Sequence, residues 1–147
     1  MPQEQTEVFG RDTNHPFTLF PSDNESTVRT IGVWAGWGSG DADGKWVVKG
    51  IKLTWNNGDE RKTYNHAQDS DQYSSFTFAP GETADWTIRA GWRIDRIEIE
   101  SSAKRRCDFG GESAPIFSHV AKGALIGFEG SSGWEIDCLS IRYNTNE

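Results

Sequence analysis

Two stretches of this chain share the pattern Gly-Trp-x-Ile-Asp: Gly133-Trp134-Glu135-Ile136-Asp137 and Gly91-Trp92-Arg93-Ile94-Asp95. These residue types suit recognition by hydrogen bonding. An ionised carboxylate has two oxygens and about four acceptor sites, enough for two neighbouring hydroxyl protons. Such charge-assisted bonds are roughly twice as strong as neutral ones. Glycine, for its part, lets backbone N–H groups approach a bound molecule closely. A third, more worn copy runs from Trp46 through Val48 to Ile51 and Leu53, with Lys45 and Lys49 at the glycine and aspartate positions.

Each motif leads into a strand that must aim it. Ile97 and Ile99 alternate with Arg96 and Glu98, as in a strand with one buried face. Trp92 and Ile94 alternate on the opposite parity. The break at Asp95 predicts a bulge or a loop-to-strand junction, which would hold the aspartate at the mouth of a sheet. Trp46 to Trp92 is 46 residues and Trp92 to Trp134 is 42, a spacing that marks a repeat architecture. The repeats run over about 8–55, 57–101 and 107–143 within a single domain of 147 residues.

Composition agrees with an all-β chain. Aromatic residues make up 12%, sixteen glycines punctuate short apolar runs, and no window keeps a helical period. Each repeat offers about four short strands, too few to bury a face alone. The three units must therefore pack as a threefold arrangement of sheets around one core. Asn56-Asn57-Gly58-Asp59 and Pro80-Gly81-Glu82 are turn signals. The formal net charge of −7 argues against nucleic acid as a partner, because phosphate binding needs clustered cations. Lys104-Arg105-Arg106 is read as a solvated turn. No stretch approaches the ~20 apolar residues of a membrane span. Met1 to Gln5 lacks the basic and apolar regions of a secretory leader, so the expected location is cytoplasmic, or outside the cell by an unconventional route.

These motifs resemble those of the jacalin-related lectins, over about 8–143. The family's hallmark is a Gly-x-x-x-Asp loop, matched here by Gly133–Asp137 and Gly91–Asp95. The Gly110-Gly111 turn before Pro115-Ile116-Phe117 resembles the family's glycine loop. The resemblance implies a β-prism I fold of three four-stranded sheets. It also implies a lectin of mannose or glucose type, because galactose-binding members depend on a cleaved chain and no processing site is evident here. The family places the N–H groups of the two residues after the glycine against the sugar. Here these are Trp134 and Glu135 in one loop, and Trp92 and Arg93 in the other. By the threefold relation, Asp95 pairs with Gly110 and Gly111, while Asp137 pairs across the closure with Gly10. The Lys49 site is expected to be inactive, and Gly10-Arg11 departs from a Gly-Gly pair.

The implied ligands are mono- and oligosaccharides or glycoproteins, and a homodimer stays open. No catalytic residue, metal ligand or cofactor is expected. His15, His66 and His119 stand in unrelated contexts, Glu82 and Asp85 read as solvated surface, and Cys107 and Cys138 read as free thiols. Asp41-Ala42-Asp43-Gly44 reads as a plain turn. Two competing readings remain: Asp95 and Asp137 as turn caps, and the whole chain as a sugar-inactive prism with a structural or protein-interaction role. Trp92 and Trp134 are read as packing residues whose backbones matter.

Overall fold

The computed structural model describes residues 3–40 and 43–145, so Asp41 and Ala42 of the expected turn lie outside the described residues. The described chain is built of strands. Strands β4 (Val28–Trp37), β5 (Trp46–Trp55), β6 (Glu60–Tyr64) and β7 (Gln72–Thr77) form a four-stranded sheet in the order β6-β5-β4-β7. The β5–β6 hairpin turns at Gly58, whose φ of 95° only glycine adopts readily.

The remaining strands form an eight-stranded sheet: β1 (Gln3–Gln5), β2 (Phe9–Gly10), β3 (Pro16–Leu19), β8 (Ala84–Ala90), β9 (Ile94–Ser101), β10 (Arg106–Gly110), β11 (Ile116–Ser132) and β12 (Ile136–Thr145). It contains two faces joined through the 17-residue β11. The first part of β11, to Gly123, pairs with β8, which continues to β9 and β10. The second part pairs with β12 on one side and β3 on the other, and β2 pairs with the far edge of β12. The expected three sheets are thus three faces, two of them continuous in hydrogen bonding.

Each face takes strands from two sequence repeats. The first combines β4 and β5 with β6 and β7 of the next repeat. In the second, β8 and β9 meet β10 and the start of β11. The third closes the ring, joining the end of β11 and β12 to β2 and β3 from the opposite end of the sequence. This exchange ties the repeats together without a disulfide; both cysteines are free thiols.

The inward residues merge into one core, with Ile31, Val33, Ile51, Leu53, Trp55, Trp86, Ile88, Ile97, Phe128, Leu139 and Ile141 fully or almost fully buried. Burial of each such side chain contributes roughly 1.5–3 kcal/mol. Trp55 keeps its polar atom satisfied by donating Nε1–H to the Ile126 carbonyl at 2.7 Å.

Candidate sugar-binding loops

A bulge marks the same place in all three faces. Opposite Trp34 and Ala35 the register jumps from Gly50 to Val48, leaving Lys49 unpaired. Opposite Arg89 and Ala90 it jumps from Arg96 to Ile94, leaving Asp95. Opposite Ser131 and Ser132 it jumps from Cys138 to Ile136, leaving Asp137. The extra residue re-aims its side chain, and the parity break in the sequence is its signature. All three bulge residues are buried.

The backbone around two bulges is built alike. Gly10 stands opposite Cys138 with φ 94°, and Gly110 opposite Arg96 with φ 103°. A Cβ at Gly10 would overlap the Asp137 carbonyl oxygen, and one at Gly110 would overlap that of Asp95. The next N–H then caps the same carbonyl: Arg11 to Asp137 at 3.0 Å and Gly111 to Asp95 at 2.8 Å. Arg11 therefore serves as well as a second glycine, because only its N–H is needed. The third bulge inverts the arrangement. Its glycine is Gly50, on the bulged strand, and the opposing residue is Tyr64, whose ring packs on it.

The three charged groups differ sharply. Lys49 Nζ lies 3.2 Å from Asp71 Oδ1, with both side chains almost fully buried. Asp71 also accepts from Tyr64 Oη at 2.6 Å and from the Gln68 N–H at 3.0 Å. This loop is filled by its own chain. Asp137 accepts from the Gly133 N–H at 2.9 Å and Thr13 Oγ1 at 2.5 Å on Oδ2, and pairs with Arg93 Nε at 2.9 Å on Oδ1. The same Arg93 Nε lies 3.1 Å from Glu135 Oε1, and Ser39 Oγ donates to Glu135 Oε2 at 2.9 Å. Asp95 accepts from Ser113 Oγ at 3.2 Å and from the Gly91 backbone, and among the described residues it has no ion pair. Burial pushes its carboxyl above the usual range, against the opposing pull of Ser113 and of the Lys45 charge.

The structure gathers the expected residues into two loops. Gly133, Trp134, Glu135, Asp137 and Gly10 surround one bulge. Gly91, Trp92, Asp95, Gly110 and Gly111 surround the other. Arg93 belongs to the second by backbone and reaches the first by side chain. The two tryptophans are not packing residues, for Trp92 is 52% and Trp134 57% exposed. They precede the bulge and lie in the loop, so the inward face of the strand does not claim them. Arg11 sits over the Trp92 ring at 4.5 Å, and His66 stacks on Trp134 at 3.8 Å. Sequence reasoning did not find Thr13, Ser39, Asp71 or Ser113. It also missed Asn65, which donates to the carbonyls of Ser132 and Gly133 at 3.0 Å each. One signal for the Arg93–Glu135 pair was available: opposite charges stand at the same motif position of two repeats.

Elsewhere, Glu82 is not solvated surface. Its side chain is 3% exposed and clamped by Arg105, while Asp85 pairs with His119. Among the described residues no group of three or more His, Cys, Asp or Glu is placed to hold a metal ion.

A family model for the jacalin-like lectin domain matches residues 6–142. The chain belongs to this family. No curated protein sequence matches it. Among solved structures, it is similar to a lamprey immune protein (TM-score 0.75, 19% identity, covering 99% of this chain and 45% of that one). It is also similar to the Malaysian banana lectin (0.72, 16%, 99% and 100%) and to the Calsepa lectin solved with a bisected glycan (0.73, 14%, 99% and 99%). The chain thus spans less than half of the lamprey protein and the whole of the banana lectin. At these identities the likeness shows the fold alone, which for this jacalin-like domain is the β-prism. Membership of a lectin family supports carbohydrate binding in general.

Proposed function

We propose that this jacalin-like domain is a lectin that recognises mannose- or glucose-type sugars through a Gly-x-x-x-Asp loop and catalyses no reaction on them. The observation that carries the reading is the repeated bulge. It aims a buried aspartate, backed by a glycine loop, at the mouth of the prism in two of three faces. A buried carboxylate flanked by backbone N–H groups matches adjacent hydroxyls of a pyranose ring, and a half-exposed tryptophan beside it offers an apolar edge to the sugar. Gly10 and Gly110 lie inside continuous chain with their neighbours' N–H groups engaged, which favours the mannose type over a mode that needs a free glycine amine.

A glycan array on the purified protein tests this, followed by calorimetry with methyl mannoside. Hits on high-mannose or glucose-bearing glycans, without turnover of any hit, are expected. Silence across the array together with no calorimetric heat would replace the reading with that of a sugar-inactive prism.

A further inference from the structure

We propose that Arg93 latches the Asp137 loop shut and that sugar is taken at the Asp95 loop alone. The inference rests on the lectin reading and names which of its two loops binds.

The two loops share a backbone and differ in what their carboxylates already hold. At Asp137, Oδ1 faces the Arg93 guanidinium at 2.9 Å, while Oδ2 accepts from the Gly133 N–H and from Thr13. Glu135 joins the same guanidinium at 3.1 Å and is further held by Ser39. Glu135 and Asp137 are buried, at 1% and 4% side-chain exposure, and Arg93 is partly buried at 14%. One cation thus serves two buried anions. Three of about four acceptor sites on Asp137 are thus taken, so two neighbouring sugar hydroxyls could bind there only by displacing Arg93, which would strip a buried carboxylate of its counter-ion. That is among the most destabilising changes a protein interior can undergo. A loss of that size would cancel the affinity of a monosaccharide held weakly, on the order of 1 mM.

Asp95 presents the opposite case. It is equally buried, but among the described residues it has no ion pair; its partners are one long bond from Ser113 Oγ at 3.2 Å and the Gly91 backbone. With about four acceptor sites on a carboxylate, room remains for two hydroxyl donors. Burial without a paired cation also leaves this group under-stabilised, so incoming donors gain more there than they would in water. Its loop carries the Gly110-Gly111 pair and half-exposed Trp92, whose ring is backed by Arg11. The asymmetry starts with one sequence difference. Position three of the motif is Arg93 in one copy and Glu135 in the other, and the prism closure brings them together. Arg93 is a positioning residue: its side chain leaves its own loop and fills the neighbour's.

The test is calorimetry with methyl mannoside, beside amide chemical-shift mapping of the unmodified chain. We expect one sugar per chain, with amides of Gly91, Trp92 and Gly111 shifting while those of Gly133 and Trp134 stay in place. Asp95→Asn should lower affinity at least tenfold, and Asp137→Asn should leave it within twofold. Removing the latch by Arg93→Ala leaves two unpaired buried acids and could prevent folding. The combined Arg93→Ala, Glu135→Gln variant lowers that burden and should raise the stoichiometry to two. Two sugars on the unmodified chain, shifts at Gly133 and Trp134, or loss of binding with Asp137→Asn but not Asp95→Asn would each overturn the inference. So would a folded combined variant that still binds one sugar. If no variant binds any sugar, the lectin reading itself fails and the latch falls with it.

Discussion

Arg93 Nε lies 2.9 Å from Asp137 Oδ1, although the two residues belong to different copies of one motif, 44 positions apart in the chain. The loops of neighbouring repeats are therefore not independent. A residue that would flank one carboxylate neutralises the next.

This contact makes Asp137 a stability residue. Asp137→Asn keeps the shape but removes a charged partner from the partly buried Arg93 guanidinium, a loss of about 1.5–3 kcal/mol. For a chain of this size each kcal/mol corresponds to roughly 2–4 °C in Tm. From the sequence alone, a sugar ligand at this position would barely change stability on such a substitution. Calorimetric melting of Asp137→Asn decides between the two: an unchanged Tm would mean that the Arg93 pair contributes nothing.

Asp95 should behave in the reverse way. Asp95→Asn removes a buried, unpaired charge, so Tm should hold or rise while sugar affinity falls roughly ten- to a hundredfold. The sign of the pH dependence follows from its raised pKa. The acceptor is the ionised form, so affinity should fall in acid, with a midpoint above that of an ordinary aspartate. The folded state holds this proton more firmly than the unfolded chain does. The contribution of Asp95 to stability therefore declines as pH rises through the interval between the two pKa values. Affinity titrated against pH, with Asp95→Asn as the flat control, measures the midpoint.

Lys49 and Asp71 form a pair whose side chains are 1% and 2% exposed. Lys49→Ala strands the Asp71 carboxylate beside Tyr64 and should cost about 3–5 kcal/mol. The loop is already full, so no sugar density should occupy it in a mannose-soaked crystal. A denaturant melt of Lys49→Ala within 1 kcal/mol of the parent, or a sugar at Lys49, would contradict this account.

Glu82 braces the far end of the second face. It accepts from the Ala79 N–H at 2.8 Å and from Arg105 at 3.0 Å and 2.5 Å, and Arg105 itself lies over the Phe76 ring at 4.4 Å. These donors, Arg105 first among them, hold the Glu82 carboxyl down to about 2, against 4.5 ordinarily. A depressed carboxylate stabilises the fold above its unfolded pKa. That contribution is complete above pH 4.5 and lost as pH falls toward 2. Melting temperature followed across this interval should drop more steeply for the parent than for Glu82→Gln, and parallel curves would show that the clamp carries no linkage. The basic run Lys104-Arg105-Arg106 thus contains a structural residue that a solvated turn would not need.

The sequence by itself determined what depends on neighbours along the chain. Alternation of Ile97 and Ile99 against Trp92 and Ile94 located the bulge at Asp95, because side-chain parity is a local property of extended backbone. The repeat spacing and the glycine turns, with the likeness of the loops to a known lectin family, led to a threefold β-prism whose sites pair Asp95 with Gly110 and Asp137 with Gly10. Only the tertiary structure decided which strands complete each face, since β2 and β3 find their sheet at the opposite end of the sequence. It alone decided the fate of the side chains at the mouth as well. Arg93, Glu135, Ser39 and Thr13 come from four separate segments, and ring closure brings them within hydrogen-bond reach. A long guanidinium goes where buried charge awaits it, and that place exists only once the prism has closed.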